Sequence, residues 1–447
     1  MRKGKSGPAP VCSICGLTIR NIERRTFVHN LLLLGIASVL TKLIVLFVTV
    51  SVFHSFVDLF DISVYFGYAA NVLGGQIPYI DFSIEYPFLF MIPVLIPLIP
   101  TILANDVTAY VMGFQVLMAF FDILTLFLVY LIGLQLFDSK RAFRAALLYA
   151  TAFASSYFIL TKYDSFPTFL LILAIFATVY GMPKRGYLAG ILGFFTKVFP
   201  ILAVPYLVLF NATKTSRKTE LISVSKVAIV CIMFLLIPMI SLVQDWYRPY
   251  LFATGADVGV YANTVTYTLY NVLNELLHLP ISEEIISLAM YALIIGITGS
   301  LLLVSWVKGI RSPRRLLVLI AITLFSVIFC TKFHSPQYLV WLTPFYALLL
   351  IESYWNMLVF YLLQVVVYIE FPLAWGSLYV NRGYIHEIGT AGWYGSLTFF
   401  IIHAMVYVIS ILLIVKSDPS LYDDIRSSIN CVISMVRRRD PPAIVRE

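Results

Sequence analysis

The residues best placed to do acid–base chemistry fall between positions 58 and 87. Asp58-Leu-Phe-Asp61-Ile-Ser-Val-Tyr65 is followed by Gly74-Gly75-Gln76-Ile-Pro78-Tyr79-Ile-Asp81-Phe82-Ser-Ile-Glu85-Tyr86-Pro87, which puts four carboxylates into 28 positions. A carboxylate held at a surface can act as general base toward a hydroxyl. Tyr65 lies four positions beyond Asp61, so on a helix the two share a face. Gly74-Gly75 ends that helix and Pro78 turns the chain. The plainer reading of the segment is a solvated loop with its aromatics in a headgroup belt.

Charged residues interrupt apolar runs at four further places. Asp122 lies deep in the run 108–136, where an acid either pairs with another group or marks a path. Lys162-Tyr163-Asp164 sits between two runs, as an exposed salt-bridged loop or as a second acidic site. Lys197 in Thr196-Lys197-Val198-Phe199-Pro200 either snorkels to the interface or faces an anion. Lys332-Phe333-His334-Ser335-Pro336-Gln337-Tyr338 is a polar insertion fit to meet a polar ligand; His334 alone reads as structural.

The elements that carry these residues follow from composition. Of 447 residues, 60% are apolar or aromatic and 12% charged, against roughly a quarter charged in a soluble domain. That excludes a soluble enzyme, a disordered chain and a nucleic-acid module. Period-2 alternation is absent, which excludes a membrane barrel. The expected fold is all-α: a polytopic membrane protein of about 10–13 transmembrane helices. Its long first extracytoplasmic loop is expected to carry short interfacial helices. A formal charge of +8 fits basic cytoplasmic loops against anionic lipid. The five cysteines are odd in number and scattered, so they form no disulfide framework. Cys12-Ser-Ile-Cys15 has the spacing of half a zinc site but no second pair follows it.

Three parts are expected: a basic cytoplasmic tail 1–29, a membrane-embedded domain 30–416 and a cytoplasmic tail 417–447. Apolar runs lie at about 30–53, 87–103, 108–136, 142–160, 165–181, 187–210, 222–243, 285–307, 313–330, 336–351, 355–375 and 396–416. If all of them cross, the basic loops at Lys140-Arg141-Arg144 and Lys184-Arg185 fall outside, against the positive-inside bias. Two changes restore it. The proline-rich run 87–103 stays re-entrant or interfacial, and the run 187–210 breaks at Lys197 and Pro200 into two short helices, which a cavity-lining segment tolerates. Loops 54–86 and 244–284 then lie outside, and Asp164, Lys197 and His334 converge on the first loop's side. The sequon Asn211-Ala-Thr213 falls inside and reads as chance. No P-loop, HExxH, GxSxG or Rossmann fingerprint is present, and no repeat or inverted pair of broken helices marks a secondary transporter.

The order of the motifs resembles the C-superfamily of integral-membrane glycosyltransferases (GT-C). It is most similar to the family 87, polyprenyl-phosphate-mannose-dependent enzymes and to the first mannosyltransferase of GPI-anchor assembly. The matching stretches are Asp61-x3-Tyr65, Gly75-x2-Pro78-Tyr79-x-Asp81-Phe82-x2-Glu85-Tyr86-Pro87, Lys162-Tyr163-Asp164-Ser-Phe-Pro167, Gly190-x2-Gly193-x3-Lys197-x2-Pro200, and Ser335-Pro336-Gln337-Tyr338-x2-Trp341-x2-Pro344. They cover about 58–344 in order. Phe88 stands where the family often has a second proline. Asp58-Leu-Phe-Asp61 is not a D-x-D, which leaves metal dependence in question.

The resemblance implies an inverting transfer of a sugar, usually mannose, from a dolichyl or polyprenyl phosphate to an extracytoplasmic lipid, glycan or protein-linked acceptor. Asp61 then matches the base, with Asp58 beside it and Asp164 as the second acid. Lys197 matches the lysine near the donor phosphate. Tyr65, Tyr79, Glu85, Lys332, His334 and Gln337 are the expected substrate contacts. No cofactor is required by this reading, and a divalent cation stays open. The expected setting is a plasma membrane with the site on its extracytoplasmic face, or the endoplasmic reticulum in a eukaryote. The alternatives are a transporter or flippase of lipid-linked sugars, with Asp122 on its path, and a non-catalytic scaffold.

Overall fold

The computed structural model describes residues 11–14, 17–20, 22–52, 57–254, 259–380, 383–421, 423–424 and 426–427. The chain is an all-α, multi-pass integral membrane protein. Strand structure among the described residues is confined to two small antiparallel hairpins, Val11–Ile14 with Leu17–Arg20 and Tyr379–Val380 with Gly383–Tyr384. Cys12 lies in the first hairpin. Cys15 and the basic stretch Arg437–Arg439 lie outside the described residues.

Among the described residues, seven helices are long and apolar enough to cross a membrane: Arg24–Ser51, Val107–Leu136, Arg217–Leu242, Glu283–Lys308, Pro313–Cys330, Tyr354–Leu378 and Ala391–Lys416. A bent pair, Ser139–Ala150 and Phe153–Thr161, makes an eighth. The remaining apolar runs form shorter helices, Phe88–Ala104, Ser165–Val179 and Phe199–Ala212, too short to span about 30 Å alone at 1.5 Å per residue. The first helix begins at Arg24, inside the segment expected to be tail.

The run 187–210 is broken as expected, and the proline-rich run 88–104 is broken as well. Pro93, Pro97 and Pro100 split 88–104 into a 3₁₀ turn and two short helices, Met91–Leu95 and Leu98–Ala104, because proline removes a helix hydrogen bond and crowds the preceding turn. The run 187–210 becomes the helix Pro183–Phe194, a turn at 195–198, and Phe199–Ala203 leading into Val204–Ala212. A break that sequence reading did not expect bends the run 142–160 by 53° between Ala150 and Phe153. Thr151 there turns its hydroxyl back onto the Leu147 carbonyl at 2.8 Å, a contact that competes with continued helix.

Exposed apolar side chains, such as Leu43, Ile44 and Phe47 on the first helix and Ile229 and Phe234 on Arg217–Leu242, form the faces fit to meet lipid. The short helix Leu339–Leu349 is buried along its whole length at the centre of the bundle. The helices Ser165–Val179 and Pro183–Phe194 pack closely on each other because glycine lines their contact. A Cβ on Gly186 would meet the Thr178 hydroxyl at 2.4 Å.

Asp122 is the hub of a buried network rather than an open acid. Lys42 Nζ sits 2.5 Å from Asp122 Oδ2, with the Ser38 hydroxyl beside it. The Tyr149 hydroxyl donates to Asp122 Oδ1 at 2.6 Å. Both carboxylate oxygens are thereby engaged, and three helices are tied together at one point.

Candidate functional site

The first acidic segment folds as expected. The helix Phe60–Leu73 ends at Gly74, and Gly75 adopts a positive φ of +86°. Asp58 precedes the helix and accepts the Phe60 amide at 3.0 Å through Oδ1. Asp61, one turn on, accepts the Tyr65 hydroxyl at 3.4 Å through Oδ2.

The loop at Lys162 is not the exposed, self-paired loop that one reading of the sequence allowed. Lys162, Tyr163 and Asp164 are all buried, and the lysine reaches across the chain. Its Nζ lies 2.7 Å from Asp58 Oδ2 and 3.1 Å from Asp61 Oδ2. Asp58 thus has both oxygens committed, one to the backbone and one to Lys162. Asp61 Oδ1 accepts no hydrogen bond among the described residues, and it is the carboxylate oxygen left available to a hydroxyl.

Asp164 faces the other way. Its Oδ1 accepts from Lys197 Nζ at 2.8 Å and from the Trp341 indole at 2.5 Å. Its Oδ2 is buried and has no hydrogen-bond partner among the described residues. A buried carboxylate with an idle oxygen is costly, so this atom is aimed at something it can accept from. Lys197 is itself buried and caged by rings. Its Nζ lies 4.8 Å from the Tyr163 ring centroid, 5.1 Å from Trp341, 5.5 Å from Tyr338 and 5.7 Å from Tyr86. Such contacts hold a desolvated ammonium by cation–π attraction.

The glycine-lysine spacing has a mechanical cause. A Cβ on Gly193 would stand 2.6 Å from Pro200 Cβ, so only glycine lets the turn fold back so tightly. The Lys197 amide then reaches the Gly193 carbonyl at 2.9 Å, and the side chain is delivered to Asp164. The Leu89 amide bonds the Phe195 carbonyl at 2.8 Å, which fastens the proline-rich segment to the same turn.

Aromatic rings join the two charged clusters. Tyr65 meets Tyr163 edge-on at 5.9 Å, and Tyr86 meets Tyr163 at 4.8 Å. Burial, then Asp61 and Asp164, push the Tyr86 hydroxyl well above its ordinary pKa, so both carboxylates act on one side chain. Burial followed by Asp61 also raises the Glu85 carboxyl. Two charged clusters, Asp58–Asp61–Lys162 and Asp164–Lys197, are thus linked through the Tyr65, Tyr86 and Tyr163 rings, while His334, expected on the same side, lies elsewhere.

Lys197 forms the polar end of an apolar cavity of about 310 Å³. Its walls include Tyr86, Tyr291, Ile294, Val327, Gln337, Tyr338 and Trp341, drawn from two long apolar helices and the loop before the buried one. Gln337 is thus at the site. Tyr79 is not at the carboxylates: at φ +68° it turns its hydroxyl onto the Tyr86 carbonyl at 2.8 Å. It lines a separate polar cavity of about 430 Å³ with Asp81, Asp245 and Arg248. His334 also departs from the expected position beside the anion. It faces Glu370 and His403 in another cavity. The Lys332 carbonyl accepts the Tyr261 amide at 2.9 Å.

Sequence reasoning left out Trp341, Tyr163 and Tyr338 as site residues, although all three stand in quoted motifs. The signal available was their spacing around Asp164 and Gln337. No protein-family model and no curated protein matches this chain.

Proposed function

We propose that this protein is a GT-C-type glycosyltransferase that moves a sugar, mannose by the resemblance, from a polyprenyl-phosphate donor to an acceptor hydroxyl on the extracytoplasmic face. The observation that carries the reading is the apolar cavity of about 310 Å³ ending on Lys197, with Tyr86 in its wall held under the influence of Asp61 and Asp164. An isoprenoid phosphate needs that combination: an apolar channel for the chain and a buried cation for the head.

In this reading the acceptor oxygen attacks the anomeric carbon from the side opposite the phosphate. The bond between that carbon and the phosphate oxygen breaks, and its electron pair leaves with the phosphate. The acceptor proton passes to Asp61 Oδ1. Lys162 keeps Asp61 oriented before attack. Lys197 meets the charge that grows on the departing phosphate, and stabilisation of that kind is often the largest catalytic term. The idle Asp164 Oδ2 suits a sugar hydroxyl. The Tyr79–Tyr86 hydrogen bond ties a residue of the polar cavity to a residue of the apolar one.

The test is a panel of polyprenyl phosphates with and without sugar, added to the purified chain in detergent. The proposal expects thermal stabilisation by the phosphates and none by the matching polyprenyl alcohol. Equal stabilisation by alcohol and phosphate would remove Lys197 as the phosphate group's partner.

A further inference from the structure

A second convergence of side chains lies apart from the charged clusters. His334 follows the helix Pro313–Cys330, Glu370 sits where Tyr354–Leu378 is interrupted, and His403 lies midway along Ala391–Lys416. All three are buried, and one ring nitrogen of each histidine and one Glu370 oxygen lie within 4.8 Å of one another.

These atoms are without hydrogen-bond partners. His334 Nε2, His403 Nδ1 and Glu370 Oε2 make no hydrogen bond among the described residues, although His403 Nδ1 and Glu370 Oε2 are 3.0 Å apart. The Tyr407 hydroxyl and Asn263 Oδ1 are likewise unpartnered. A histidinium–carboxylate pair accounts for two of these five atoms and leaves His334 Nε2 facing them. Asn263, His334, His403 and Tyr407 line a small space of about 20 Å³, enough for one water-sized body, which needs roughly 10–15 Å³.

The outer contacts have the form that metal ligands take. The His334 ring is hydrogen-bonded to the Ile328 backbone, which leaves Nε2 free to ligate. The Asn263 amide donates to Glu370 Oε1 at 3.4 Å, steadying the carboxylate while Oε2 stays open. Ligating histidines and carboxylates are ordinarily fixed in this way.

We propose that His334, Glu370 and His403 form a binding site for a single divalent transition-metal ion of the zinc type. Two imidazoles and one carboxylate are a common zinc ligand set, with a water or a further side chain as the fourth ligand. Ligands around tetrahedral zinc stand about 3.3 Å apart, so binding draws these three, within 4.8 Å of one another, together by up to about 1.5 Å. The ion fastens the 331–338 loop, which delivers Gln337 and Tyr338 to the apolar cavity, to two long helices. Glu370 is followed by Phe371, whose ring lies 5.7 Å from Lys162 Nζ, so the same clamp supports the other charged cluster. This inference does not depend on the transferase reading.

The experiment uses the full chain, carrying Cys12→Ser and Cys15→Ser, purified without a polyhistidine tag and then stripped with chelator. Zinc is added and counted by mass spectrometry, and Co²⁺ is added in parallel for its visible ligand-field bands. The expected results are about one Zn²⁺ per chain, tetrahedral Co²⁺ bands and a thermal transition that zinc raises. His334→Gln, Glu370→Gln and His403→Gln should each weaken binding at least about tenfold. Should these variants fail to fold, the parent's stoichiometry and spectrum decide alone. A folded parent that takes less than about a tenth of an equivalent of zinc and shows no Co²⁺ bands overturns the proposal. So does metal uptake undiminished in all three folded variants.

Discussion

Replacing Lys197 by Gln does two separable things. Lys197 and Asp164 are 8% and 0% exposed and lie 2.8 Å apart. Removing one partner of a buried pair leaves an uncompensated charge, which costs about 3–5 kcal/mol. The single variant should therefore melt well below wild type even without donor. Asp164→Asn added to it removes the second charge, and replacing both partners of such a pair is often close to neutral. The double variant should recover most of the lost stability. Donor use should not recover with it, because a hydrogen bond to a charged group is worth about 1.5–3 kcal/mol, or roughly tenfold to a hundredfold in donor efficiency. The assay is thermal unfolding in detergent for wild type, both singles and the double, each with and without polyprenyl-phosphate sugar. A single variant as stable as wild type would refute the buried-pair argument. A stable double variant that donor stabilises as much as wild type would take Lys197 off the phosphate.

Asp58→Asn should reduce turnover less than the same change at Asp61, since Asp58 acts through Lys162 and keeps its bond to the Phe60 amide; a rate comparison of the two variants decides it. Gly193→Ala puts a methyl 2.6 Å from Pro200 Cβ. That should cost about 1–3 kcal/mol in unfolding measurements and lower donor efficiency by shifting Lys197. Glu85 has its carboxyl raised from 4.5 by burial and then by Asp61. The folded state thus favours its protonated form, and wild type loses this contribution as pH rises from 4.5 through the raised value. Thermal scans across that range should show a shallower decline for Glu85→Gln.

Local spacing was legible where one segment contains the whole contact. Asp61-x3-Tyr65 became one helical turn with its hydrogen bond, and the proline-rich run 88–104 is interrupted at Ile96-Pro97. The Gly193–Lys197–Pro200 turn was readable as a break, though the 2.6 Å approach that demands glycine was not. Partners distant in the chain were not legible. Nothing near Asp122 in the sequence points to Lys42, eighty positions earlier. Lys162 reads as a loop residue because the acids that bury it lie about a hundred positions earlier, at Asp58 and Asp61. His334 read as part of the anion site because Lys332 and Gln337 flank it, whereas tertiary packing turns it toward Glu370 and His403. Span length was hidden for a related reason: a short helix buried along its whole length, Leu339–Leu349, carries the composition of a span without its length.

The measurement closest to the central claim is transfer itself. Wild type and Asp61→Asn are reconstituted in liposomes with polyprenyl-phosphate mannose carrying labelled sugar and a hydroxylated lipid acceptor. Free polyprenyl phosphate, glycosylated acceptor and its anomeric configuration are then measured. The account predicts equal amounts of the two products, inversion at the anomeric carbon, and at least a roughly 100-fold slower rate for a folded Asp61→Asn. Movement of intact donor across the bilayer with no bond cleaved, or turnover unchanged in Asp61→Asn, would contradict it.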